Sequence, residues 1–100
     1  MSKIPFKDFV RKDRLLEILL FLNETAGFGA SHHLLRTAID RKGHSISSET
    51  ILGDLTFLAE EGLSDLRQDG VSHIARLKSR GQDVCTGLAA HPSIKRPQPE

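Results

Sequence analysis

Histidine and cysteine are the residue types in this chain that could bind a metal ion or attack a substrate. Of the five histidines, only His32 and His33 are adjacent. Neighbouring residues on a helix point about 100° apart, so this pair is poorly placed to bind one metal ion. The sequence has no nucleophile elbow, phosphate-binding glycine loop or metal-ligand spacing. We therefore expect no enzyme activity, no metal and no cofactor.

Cys85 is the only cysteine, which excludes an internal disulfide bond. Its neighbours Val84 and Leu88 suggest a small residue of the core. A redox-sensing thiol would need an exposed and electropositive setting, and Arg80 is the nearby base that keeps this alternative open.

Charge is unevenly distributed along the chain, although the net charge is only +1. Residues 47 to 63 contain four acidic side chains and no basic one, whereas the segments on both sides are basic. A nucleic-acid contact would therefore have to draw its phosphate affinity from those flanking segments.

The acidic region lies within the stretch that organises the rest of the chain, from Ser45 to Leu63. Its apolar residues recur every three or four positions, which predicts one buried helical face. Those residues are Ile51, Leu52, Leu55, Leu58 and Ala59. Ser47 or Ser48 can cap this third helix, and Gly62 ends it. Strands are predicted at residues 63 to 67 and 71 to 77, joined by a turn in which Gly70 supplies a positive φ.

Two helices are predicted before this stretch. Asp13 can cap the first, in which every residue from Leu15 to Leu22 except Glu17 is apolar. A small domain cannot easily cover such a helix, so self-association through it is expected. Residues 27 to 30 suit a tight connection or a short strand, and Ser31 caps the second helix. Its predicted buried stripe is Leu34, Leu35, Ala38 and Ile39.

The two ends of the chain are predicted to lie outside the core. Residues 1 to 12 are predicted to form an arm. Either its apolar side chains pack on the domain or on a partner subunit, or its basic side chains lie on the phosphates of a nucleic acid. Ser79 and Gln82 have the capping-box spacing that opens a last helix holding Val84, Cys85 and Leu88. Residues 91 to 100 are rich in proline and form an extended, partly disordered tail.

Composition sets the broad class of protein. One hundred residues with 38% apolar and 27% charged residues make a single small domain. No apolar run approaches the roughly 18 residues that spanning a bilayer requires, and no signal-peptide pattern is present. We expect a cytoplasmic protein without a membrane contact.

The predicted order of elements is three helices, a hairpin and a helix, with the motifs LLEILLFL and ETILGDLTFLAEEGL. In this order and these motifs the chain resembles winged-helix regulators of the MarR, ArsR and PadR type. LKSRGQDV followed by a tail containing IKRP is also similar to small winged-helix proteins of Mu-like phages and prophages. The resemblance covers residues 12 to 88. It implies a mainly α fold with a small β-hairpin, a winged helix-turn-helix at residues 13 to 90.

The resemblance also implies a DNA-binding transcription regulator that acts as a homodimer. Early positions of helix three would enter the major groove. Wing residues and basic side chains elsewhere in the chain would contact the phosphate backbone. The implied DNA contacts are Arg36, Arg41, Lys42, Ser47, Ser48, Thr50, Asp54, Phe57, Arg67, Gln68, Lys95 and Arg96. The expected dimer interface is Phe6, Phe9, Leu15, Leu19 and Leu22. Helix three departs from the pattern, because Ser, Thr and Asp stand where regulators usually have Arg, Lys, Gln or Asn.

Two other classes of function stay open. The first is a protein-interaction module in which acidic helix three, with Phe57 as its exposed anchor, or the proline-rich tail docks a partner. The second is a small-ligand or thiol sensor. A salt-dependent interaction with duplex DNA would separate the regulator from the interaction module, because phosphate contacts weaken steeply with salt.

Overall fold

The computed structural model describes residues 6 to 98, which form four α-helices and a three-stranded antiparallel sheet. The elements are α1 (Phe6–Glu24), β1 (Gly29–Ser31), α2 (His32–Asp40), α3 (Ser48–Glu60), β2 (Ser64–Asp69), β3 (Ser72–Leu77) and α4 (Ser79–Thr86). The strand order is β1-β3-β2. The protein is thus a small α+β arrangement, in which β1 extends the predicted hairpin into a sheet. No helix in the described part of the chain is long and apolar enough to cross a membrane.

α1 begins at Phe6, so the prediction that a helix starts after Asp13 is wrong. Phe6, Phe9, Val10 and Asp13 are three or four residues apart, a spacing that continues one helical face upstream. Asp13 therefore lies inside the helix and does not cap it. Residues 1 to 5 of the predicted arm lie outside the described residues.

The apolar stretch of α1 is the centre of the core of a single chain. Leu15, Leu19 and Leu22 are fully buried, with no exposed surface. α1 contacts α2, β3 and α4 of the same chain. These three leucines are therefore not a dimer interface, as the sequence had suggested, because the chain's own elements already occupy that surface.

A left-handed turn connects α1 to β1. Gly27 (φ 67°) and Phe28 (φ 58°) are both in the left-handed region, and β1 then pairs with β3. The predicted short strand is thus confirmed. Ser31 caps α2 by accepting a hydrogen bond from the Leu34 amide at 3.2 Å, also as predicted. Leu34 itself is half exposed, so its assignment to the buried stripe is wrong.

α3 and the hairpin follow the predicted pattern closely. The Ser47 hydroxyl accepts a hydrogen bond from the Thr50 amide at 3.1 Å, and Gly62 (φ 74°) follows the last turn. Gly70 occupies the turn between β2 and β3 with φ 63°. Val71 belongs to this turn and not to a strand, and its side chain is exposed.

α4 differs from its predicted form at both ends. Lys78 is the N-cap residue and makes no side-chain cap, so Ser79 does not form the predicted capping box. The helix ends before Gly87 (φ 90°), which leaves Leu88 outside it and exposed. Gly81 is buried against the backbone carbonyl of Leu63, an approach that leaves no room for a Cβ.

The segment after α4 packs onto the domain as far as Lys95, which the prediction of an extended, partly disordered tail did not include. Ile94 is buried, and its neighbour Lys95 donates its amide to the Lys12 carbonyl at 3.2 Å. The Lys95 ammonium also contacts the Asp13 carboxylate at 3.1 Å. Burial alone would raise the pKa of Asp13, but hydrogen bonds from His44 and Lys95 outweigh it and leave that pKa below its ordinary value.

Candidate nucleic-acid interface

The N-terminal half of α3 presents small, mostly uncharged side chains. Ser48 and Gly53 are exposed, Thr50 is half buried, and the Ser47 hydroxyl serves as the helix cap. Glu49 is the only charged residue exposed in the first two turns of α3. A helix end with short polar side chains and free amide groups can approach a phosphate backbone or a groove closely.

Asp54, which the resemblance placed in the DNA groove, points into the protein instead. Its carboxylate accepts two hydrogen bonds from the Arg14 guanidinium of α1, at 2.6 and 2.9 Å. Asp54 follows Ile51 by three residues and precedes Leu58 by four, so it shares their buried face. The prediction of a DNA contact is therefore wrong. The same spacing could have revealed the burial, whereas nothing local identified Arg14 as the partner.

Phe57 is not the exposed anchor that the sequence suggested. Its ring is partly buried against the core, the Arg11 guanidinium lies 4.6 Å from its centroid, and His91 packs edge-on at 6.2 Å. Arg11 and His91 thus already pack against this ring, which leaves only part of it exposed.

Only one exposed acidic side chain of residues 47 to 63 lies near the N-terminus of α3. Besides Asp54, Glu61 beyond the helix pairs with the His91 ring at 2.8 Å. Glu60 is exposed, but it lies at the C-terminal end, about 16 Å along the helix axis from Glu49. Of the four acidic residues at positions 47 to 63, only Glu49 therefore has an unpaired carboxylate near the α3 N-terminus.

The hairpin carries two arginines on the outer side of the sheet. Arg67 pairs with Ile74, and Asp65 pairs with Arg76, so the four side chains share one face. Together with the small residues Gly29 and Ser31 of β1 they line an open groove of about 610 Å³. Arg76 was missed by the sequence reasoning, although counting outward from the Asp69-Gly70 turn would have placed it beside Arg67. Gln68 is exposed, and its side-chain amide donates to the Gly70 carbonyl.

The other predicted phosphate contacts do not form one patch. The Arg36 guanidinium donates to the Ile46 carbonyl at 2.7 Å, which ties α2 to the link before α3. Arg41 and Lys42 are exposed and border a groove between α1 and α2. Lys95 is held by Asp13, so only Arg96 of the tail bases is exposed.

His32 is the buried member of a group of three histidines. Its Nδ1 accepts a hydrogen bond from the His73 amide at 3.0 Å, and the His33 ring centroid lies 3.8 Å away. Burial, reinforced by the neighbouring His33, lowers the pKa of His32. Within residues 6 to 98, no three His, Cys, Asp or Glu side chains are grouped so that they could hold a metal ion.

Cys85 has the environment of a core residue and not that of a sensor. The thiol is buried and donates to the Gln82 carbonyl at 3.4 Å. Burial raises the pKa of Cys85, which disfavours the reactive thiolate. The thiol-sensor alternative therefore loses its physical basis.

These features define a class of protein: a small α+β domain with four helices and a three-stranded antiparallel sheet. The chain belongs to the family of the uncharacterized protein gp26 of Escherichia phage Mu. The two are 34% identical over 92 residues, which is 92% of this chain and 95% of the phage protein. An uncharacterized protein of Haemophilus influenzae is 30% identical over 99 residues, covering 97% of this chain and 95% of that protein. No protein-family model matches the sequence. The predicted relation to a Mu-like phage protein is confirmed.

Proposed function

We propose that this protein is a winged-helix domain that binds double-stranded DNA and acts as a transcription regulator. The observation that carries the proposal is the element order, in which α2 and α3 are joined by a short link and followed directly by the β2–β3 hairpin. In this interpretation α3 is the helix that enters the major groove, and the hairpin is the wing.

The burial of Asp54 supports the proposal because it removes the main electrostatic objection to it. Counted along the sequence, helix three is too acidic to lie against phosphates. With Asp54 paired to Arg14, the N-terminal half presents Ser48, Glu49, Thr50 and Gly53. Serine and threonine hydroxyls can contact either phosphate oxygens or base edges.

The hairpin arginines would supply the phosphate affinity. Neither Arg67 nor Arg76 makes an ion pair within the described residues, so both guanidiniums are available to an anionic ligand. Two such contacts imply a modest salt dependence, with log K falling by about 2 for each tenfold rise in salt. The proposal is therefore a weak or moderate DNA binder, with its sequence preference set by α3.

The test is a fluorescence-anisotropy titration of labelled duplex DNA at several salt concentrations. Arg67→Glu should weaken binding of every duplex and lower the salt dependence by about one phosphate contact. Arg80→Glu is the matched control, because Arg80 is an exposed base near Gly62, at the opposite end of α3 from its N-terminus. An intact protein that does not bind duplex DNA at about 50 mM salt, where phosphate contacts are strong, would contradict the proposal.

A further inference from the structure

A groove runs between α1 and α2, and it shares no lining residue with the groove of the hairpin arginines. Two adjoining cavities of about 350 and 140 Å³ form it, and both are lined by Phe21, Ala38 and Lys42. All the lining residues belong to α1, to α2 or to the two positions that follow α2. The groove is thus separate from the candidate nucleic-acid interface.

The floor of this groove is apolar and only partly covered. Leu20 and Phe21 of α1 lie at the edge of the core, where they are half buried. Leu34 of α2 is 50% exposed, and its side chain lines the larger cavity. A cluster of large apolar side chains left open in this way is typical of a contact surface.

The two walls of the groove carry opposite charges. Glu17 and Glu24 line it from α1, whereas Arg41 and Lys42 line it from the end of α2. None of these four side chains makes an ion pair with another described residue. In a two-fold symmetric contact the acidic wall of one copy can face the basic wall of the other, so this surface is complementary to itself.

We infer that the α1–α2 groove is the surface through which two copies of this chain form a homodimer. An apolar floor between walls of opposite charge meets the requirement of a two-fold contact, in which one patch must fit an identical patch. This interface replaces the buried leucines of α1, and it leaves α3 and the hairpin free. The inference does not depend on DNA binding, because both the groove and its test involve the protein alone.

The first test is sedimentation equilibrium across the micromolar range without DNA. The intact protein should show twice the mass of one chain. Leu34→Glu places two charges in the symmetric apolar contact and should raise the dimer Kd at least about tenfold. Leu88→Glu is the matched control, because Leu88 is exposed outside the groove, and it should leave the dimer unchanged. Circular dichroism of both variants checks that each stays folded.

The second test examines the charged walls. Glu24→Lys should weaken the dimer because it brings like charges together. Exchanging both walls should restore the dimer, since opposite charges still meet. This variant combines Glu17→Lys, Glu24→Lys, Arg41→Glu and Lys42→Glu. A monomeric intact protein at every concentration would overturn the inference. A dimer that tolerates Leu34→Glu as well as it tolerates Leu88→Glu would also overturn it.

Discussion

Individual side chains take their roles from partners that are distant in sequence. The winged-helix resemblance implies that Asp54 is exposed and contacts the DNA groove. In the structure it pairs with Arg14, forty residues away. His32 lies in the first turn of α2, and its ring accepts the amide of a residue on β3. In both cases burial decides whether the polar group is an external contact or a structural one.

The ion pair of Asp54 gives the first prediction. Asp54→Ala should destabilise the protein by about 3 kcal/mol, because it leaves the Arg14 guanidinium largely buried without its carboxylate. Urea unfolding at neutral pH measures the change. Glu49→Ala, at an exposed position of the same helix, should change stability by less than about 0.5 kcal/mol. Equal effects of the two substitutions would contradict the buried pair.

The second prediction concerns His32 and pH. Because its folded pKa is below the unfolded value of 6.5, protonation favours the unfolded chain. Its contribution to stability is therefore complete above the unfolded pKa and is lost as the pH falls below it, through the folded pKa. In the His32→Asn variant the asparagine cannot titrate, but it keeps an acceptor for the His73 amide. The stability of this variant should therefore fall less than that of the intact protein when the pH is lowered from 7.5 to 5. Urea unfolding at the two pH values measures this difference.

The exposed neighbour supplies the control for this prediction. His33→Asn replaces the exposed imidazole that lies next to His32. This variant should keep most of the pH dependence of the intact protein. If His32→Asn and the intact protein lose stability equally, the buried neutral ring is not what links folding to pH.

At the scale of elements, local signals placed most helices and turns, whereas the limits of α1 and α4 needed the packed structure. Ser31 and Ser47 cap their helices as predicted, and Gly70 holds the hairpin turn. α1 extends upstream to Phe6, and α4 begins without its predicted capping box. α4 is held by close packing, since Gly81 brings its backbone against the Leu63 carbonyl.

Two glycines in helices give the third prediction, because they have opposite surroundings. Gly81→Ala should destabilise the protein by about 2 kcal/mol or more, since its Cβ would overlap the Leu63 backbone, which cannot easily move. Gly53→Ala in α3 meets open space and should stabilise by about 0.5 to 1 kcal/mol. Thermal unfolding of both variants checks the pair. A Gly81→Ala protein that is stabilised as much as the Gly53→Ala protein would show that helix propensity, and not close packing, governs Gly81.

At the scale of the whole molecule, the tail and α1 form one packed unit. His91, Ile94 and Lys95 dock the segment after α4 onto Glu61, the core and Asp13. The segment thereby covers one side of the domain. Its proline-rich composition did not predict this packing. The segment also pairs the Lys95 ammonium, a predicted DNA contact, with the Asp13 carboxylate.

The docked tail gives the fourth prediction. Ile94→Ala should destabilise the protein by about 2 kcal/mol, because the side chain is buried and its loss leaves a cavity. Arg96→Ala, two residues on and exposed, is the control and should have little effect. Urea unfolding measures both variants. An Ile94→Ala protein as stable as the Arg96→Ala control would mean that the tail does not contribute to the fold.

The sequence by itself determined the features that depend on neighbours along the chain. Helical periodicity, serine caps and the Asp69-Gly70 turn are local signals, and they placed α2, α3 and the hairpin, while LKSRGQDV and the tail motif indicated the Mu-like family. Only the tertiary structure decided which polar groups are exposed. Arg14 and Asp54 are 40 positions apart, and Lys95 and Asp13 are 82 apart. Such pairs depend on how the elements pack, and packing also sets the burial that turns a predicted DNA contact into a core ion pair.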